Sequence, residues 1–162
     1  MRYLLASILL IGYVLDTTAQ VKQDTTAWVV AKMSLTKYAA QQIAEAAEKE
    51  AAKNNWAVSI AVMNEAGQLM YFIKMDKSSN ASGDAAIAKA KHTAYYKRDT
   101  KFHQELLLKG NNLVLALPNA LPIEGGLQLF YQGTLVGSIG VAGAASEDDG
   151  KIAKRGAEVL SR

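Results

Sequence analysis

The stretch from Leu117 to Ala144, LPNALPIEGGLQLFYQGTLVGSIGVAGA, constrains the fold more than any other part of the chain. Two apolar runs, Leu127 to Tyr131 and Leu135 to Ala142, flank the polar pair Gln132 and Gly133 and predict a tight β-hairpin. Gly137, Gly140 and Gly143 recur at every third position of its second strand. They cannot share one face, and each removes a side chain where another backbone or a ligand comes close. Upstream, Gly125 and Gly126 follow Pro122, Ile123 and Glu124 in a loop with access to conformations closed to other residues. Ligand chemistry is expected at this loop and the strand after it.

The rest of the chain supplies partners for that hairpin. Ser34 or Thr36 caps a first helix whose narrow inner face is Ala40, Ile43, Ala44, Ala47 and Ala51, ending near Asn54 and Asn55. Trp56 to Met63 and Gln68 to Met75, joined by Glu65, Ala66 and Gly67, predict a second hairpin. After a polar loop, Asp84 to Arg98 reads as a helix with close-packing alanines. Thr100 caps a shorter helix, Lys101 to Lys109, and Asn111 to Glu124 is a long irregular connection of the kind that often carries function. Ser146 opens the last helix, with Asp149 completing an acidic capping box and Ile152, Ala153, Gly156, Val159 and Leu160 facing inward. This order predicts an α+β fold: an antiparallel sheet of four or five strands covered by helices.

A chain of 162 residues suffices for one domain with its own core. The net charge of +3 is not gathered into a stripe with interleaved aromatics, so no nucleic-acid partner is expected. Arg2, the apolar run Tyr3 to Leu15, and the small residues Thr17 and Ala19 predict a signal peptide over residues 1–19. Cleavage there leaves a linker or arm over 20–33, a domain over 34–162, a periplasmic or secreted location, and no stable membrane insertion. Without cysteine, disulfides, thiolate metal sites and cysteine nucleophiles are excluded. No GxSxG, HExxH, Walker loop or GxGxxG before a helix is present, which disfavours hydrolase and nucleotide chemistry.

SIAVMNEAG at Ser59 to Gly67, Lys74 to Asp76, AIAKAKHTA at Ala86 to Ala94, LPNALPIEGG at Leu117 to Gly126, and GTLVGSIGVAGA with its following Glu147, Asp148 and Asp149 resemble the GlcG/HbpS-like family. This is the haem-binding or "haem-degrading" (DUF336) domain, also seen at the C-terminus of PduO proteins. The resemblance implies a profilin-like or PAS-like topology, self-association into a homo-oligomer, and haem as a ligand of some members. It implies no established reaction beyond the weak haem-degrading activity of the family's name. Arg98 and Thr100 match a family Arg-Pro-Thr in which Asp99 replaces proline, so the second helix is expected to run on further. Asn64 stands where many members have aspartate.

If haem is the ligand, an iron held by protein nitrogen has His92 and His103, the only histidines, as its candidate ligands, although the family pattern fixes a histidine at neither position. For His92 the alternative is stacking or hydrogen bonding with Tyr95, Tyr96 or Asp99; for His103 it is plain exposure after the Thr100 cap. Thr100 is either a cap or a hydroxyl for haem. Lys91, with Lys97, Arg98 and Lys101 nearby, is a candidate for pairing with propionates. Glu124, Gly125 and Gly126 form the rim of a small pocket or a simple turn. The function expected is exported haem capture, storage or sensing. The alternatives are an organic-acid-binding module without haem and a purely structural oligomer.

Overall fold

The computed structural model describes residues 28–161, so the signal peptide expected over 1–19 lies outside the described residues. Lys32–Arg162 forms one compact unit. Its elements run α1 (Lys37–Lys53), β1 (Ser59–Asn64), β2 (Leu69–Lys74), α2 (Ser82–Tyr96), α3 (Thr100–Leu108), a 3-10 turn (Asn112–Ala116), β3 (Gly126–Tyr131), β4 (Thr134–Ala142) and α4 (Ser146–Ala157), with a closing 3-10 turn (Glu158–Ser161). Both hairpins form, and the four strands make one antiparallel sheet in the order β2-β1-β4-β3. The α+β expectation holds, with four strands. Among the described residues, no helix is long and apolar enough to cross a membrane.

β1 and β4 occupy the centre because their side chains are apolar on both faces. Ile60 and Val62 of β1, with Leu129, Val136, Ile139 and Val141 of the second hairpin, meet Ile43, Ala44 and Ala47 of α1 and Ile152 and Ala153 of α4. The opposite face, Ala61, Met63 and Ala142, takes Ala86 and Ala90 of α2. This second layer is thin because Gly140 faces α2. A β-carbon there would run into the carbonyl of Ala86 and the amide of Ala90, so the helix backbone lies directly on the sheet. The alanines of α2 and the glycine of β4 are thus two halves of one close approach.

Local chemistry sets the boundaries. Thr36 caps α1 by accepting from Ala39 N at 3.2 Å, and Asn55, at φ +58°, carries the chain out of it. Asn64 makes the β1–β2 turn, its Oδ1 accepting from Ala66 N and Gln68 N at 3.1 and 2.9 Å. A carboxamide accepts there as well as the aspartate it replaces.

Three expectations about helix ends are corrected. α2 does not run on past Arg98; it stops at Tyr96, where Lys97 turns left-handed at φ +48°. The N-cap position of α3 belongs to Asp99, and Thr100 lies inside the helix with its side chain buried. Ala145, not Ser146, is the N-cap of α4, and Asp149 reaches elsewhere. Part of the connection expected to be irregular is the 3-10 turn over Asn112–Ala116, pinned by buried Val114.

Candidate functional site

The tight turn at Lys97 folds α3 back so that His103 meets His92 of α2. His92 Nε2 and His103 Nδ1 are 2.7 Å apart, and both rings are buried. His103 is therefore not the exposed residue that its place in the first turn suggested. On the far side of the pair, Leu121 N donates to His92 Nδ1 at 2.9 Å. A backbone amide can only donate, so His92 Nδ1 carries a lone pair and its proton sits on Nε2, directed at His103. Burial, with His103 alongside, holds the His92 pKa down at about 4. Burial and then the Arg98 guanidinium depress His103.

Aromatic edges complete the surroundings. Tyr96 stands edge-on to both histidines, at 5.1 and 5.4 Å, and its hydroxyl donates to Pro118 O at 2.6 Å. Phe102 is half exposed beside His103 at 5.1 Å, and Arg98 lies 5.1 Å over its ring. His103 Nε2 has no hydrogen-bond partner among the described residues. The pair thus leaves one nitrogen without a partner among the described residues, in a residue that is 7% exposed beside the Phe102 ring.

The remaining candidates fall elsewhere. Thr100 Oγ1 accepts from Gly126 N at 2.9 Å, fixing the start of β3 to α3. Asp99 does the same one residue pair along, accepting from Gln128 N at 2.8 Å, while burial raises its carboxyl pKa. Lys91 lies over the Tyr95 ring at 5.4 Å. Glu124 pairs with Lys101 at 3.1 Å and lines a groove of about 440 Å³ with Asp99, Lys101, Leu127, Glu147, Gly150, Lys151 and Lys154.

Gly125 and Gly126 do not rim that groove; both are buried, and the space beside each is filled. A β-carbon on Gly125, at φ +127°, would lie 2.7 Å from Lys89 Nζ, and one on Gly126 2.6 Å from both Thr93 Oγ1 and Thr100 Cγ2. These glycines are needed for packing against α2 and α3.

The reading of residues also missed Lys89. It is buried, and its Nζ donates to Asp149 Oδ2 at 2.8 Å and Val141 O at 2.9 Å. Asp149 Oδ1 in turn accepts from Ala144 N at 3.0 Å. Burial raises the Asp149 pKa, against the pull of Lys89. The signal was available, because Lys89 sits on the same helix face as Ala86, Ala90 and Thr93.

Fold and site together define a small α+β domain with helices on both faces of a four-stranded antiparallel sheet and a buried histidine pair at the α2–α3 turn. The chain belongs to the HbpS-like family, whose sequence model, described as "Haem degrading protein HbpS-like", matches residues 35–158. It is 33% identical over 111 residues to protein GlcG of Escherichia coli (strain K12), covering 68% of this chain and 83% of GlcG. The crystal structure of HbpS superposes with a TM-score of 0.77 at 29% identity, over 83% of this chain and 96% of HbpS. The PduOC:heme complex superposes with a TM-score of 0.73 over 79% of this chain and 96% of PduOC. At 22% identity that likeness shows the fold alone.

Proposed function

We propose that this protein binds haem, with His103 Nε2 as the axial nitrogen. The observation that carries the reading is the asymmetry of the histidine pair: both ring nitrogens of His92 are engaged, while His103 Nε2 has no partner among the described residues. The donor set fits the group. Neutral imidazole is a common haem ligand, Phe102 supplies an aromatic surface, and Arg98 is a cation for propionate carboxylates. Thr100 anchors β3 behind the site through its hydroxyl. The iron, when bound, supplies redox and ligand-exchange chemistry. The chain's own residues hold the imidazole, exclude water from its inner side and set its proton.

The family description and a fold neighbour crystallised with haem support this reading. It includes export directed by residues 1–19, to the periplasm or outside the cell, and a homo-oligomer. Leu108, Leu113 and Leu115 are 65–79% exposed and supply apolar surface of the kind an assembly buries.

Haemin titration of the chain from Gln20, followed by absorbance, tests the reading. A saturable Soret shift is expected in the wild type and in His92→Ala, and its loss in His103→Ala. A shift that survives in His103→Ala moves the site to a lysine, and no saturable shift refutes haem binding. The second reading, an organic-acid module, rests on the groove with Lys101, Lys151 and Lys154. It predicts carboxylate binding by calorimetry that is unaffected when both histidines are replaced.

A further inference from the structure

We infer that His92 is a positioning residue that couples ligation at His103 to the Leu117–Glu124 loop. This rests on the reading of His103 Nε2 as the ligand atom. Without ligand, the order of donors is set from one end: Leu121 N–H to His92 Nδ1, then His92 Nε2–H to His103 Nδ1. His103 Nδ1 is thus an acceptor, and the proton of its neutral ring sits on Nε2. That is the nitrogen needed for ligation, and a proton occupies its lone pair.

Ligation by a neutral ring requires the other tautomer. The Nε2 proton leaves, and Nδ1 takes up the proton that His92 Nε2 had been donating. The outer proton passes to solvent, and His92 stays neutral by taking one from solvent at Nδ1 as the Leu121 amide withdraws, so the pair loses one proton at its outer end and gains one at its inner end. No net charge appears in the buried space. His92 Nδ1–H now faces Leu121 N–H across 2.9 Å, two donors with no acceptor between them. The Leu121 amide has to leave.

The loop is built to move at that point. Leu121 N is held to the body of the protein by His92, whereas the ends of the segment have separate ties, Tyr96 to Pro118 O and Gln104 to Glu124 N. No helix or strand runs through residues 117–124. Pro122 beside it is buried, so the change is confined to the Leu121 amide and does not pull on β3.

Two measurements on the chain from Gln20 test this. Long-range proton–nitrogen NMR of the ligand-free protein is expected to show both histidines protonated at Nε2; an Nδ1 proton on His103 overturns the inference before any ligand is added. Hydrogen exchange of residues 117–124 is then followed with and without saturating haemin. The wild-type loop is expected to exchange about tenfold faster with haemin, the scale of one lost hydrogen bond, while His103→Ala shows no change. In His92→Phe the loop is expected to exchange fast already and not to respond to haemin. A His103-dependent Soret shift that leaves wild-type loop exchange unchanged, with one proton released, overturns the coupling and leaves haem binding standing. Absence of a His103-dependent shift overturns both.

Discussion

Acid should unfold this protein through His92 before its carboxylates matter. The side chain is fully buried, and its pKa falls from an ordinary 6.5 to about 4 on folding. The folded state refuses a proton that the unfolded chain takes up readily below pH 6.5. Stability is therefore unaffected at higher pH and lost as the pH falls from about 6.5 toward 4. At about 1.4 kcal/mol per pH unit, the loss by pH 4.5 is about 2.5 kcal/mol from this residue. His103, depressed in the same direction, adds to it. Asp99 and Asp149 act in the opposite sense, because burial raises both and the folded state takes their protons first. Urea melts of the wild type and His92→Gln at pH 7.5 and pH 4.5 separate these contributions, since the carboxyls are common to both proteins. The wild type is expected to lose about 2.5 kcal/mol more than the variant over that interval, with the His92 ring titrating near pH 4 by NMR. Equal losses in the two proteins would refute the account of a buried, neutral His92.

Gly140→Ala forces a methyl group into the backbone of α2 and is expected to cost about 3 kcal/mol or more, whereas Gly133→Ala, at φ +77° in open space, costs about 1 kcal/mol; thermal melts compare them. Asp149→Asn strands the buried Lys89 charge at a cost of about 3 to 5 kcal/mol in urea melts. Adding Lys89→Met is expected to recover much of that loss, and simple additivity would contradict a coupled pair. Thr100→Val leaves Gly126 N without its acceptor and is expected to cost about 1 to 3 kcal/mol by the same assay, while Thr100→Ser keeps most of the stability.

The elements were legible in the sequence because each rests on a local pattern. The valine- and isoleucine-rich run within Trp56 to Met63, the alanine face of α1 and the spacing of Gly137, Gly140 and Gly143 all report their own environment, although β1 is buried on both faces rather than alternating. The helix starts were misread for a physical reason. Thr100 and Asp149 are residue types that cap helices, and nothing local shows that distant groups, Gly126 N and the Lys89 ammonium, compete for their oxygens. Lys89 pairs with a residue sixty positions away. The histidine pair is a further case: an eleven-residue separation becomes a 2.7 Å contact only because Lys97 turns left-handed between the two helices.

These long-range polar contacts belong to one junction. Lys89, His92 and Thr93 are successive inward positions on α2, and each meets the chain between Leu121 and Gly126 or the strand beside it. Thr100 and Gln104, one turn apart on α3, hold Gly126 N and Glu124 N. The loop is thus fastened at its C-terminal end by the Thr100 hydroxyl, the Gln104 amide and the bond from Val141 N to Gly125 O, none of which rearranges between tautomers. In its middle it is held by an imidazole, the one side chain there whose donor and acceptor can exchange places. A loop needed only for packing would be served as well by another threonine or amide at position 92. The choice of a histidine, in contact with a second histidine whose far nitrogen has no partner among the described residues, makes sense where the state of that nitrogen has to be felt by the loop.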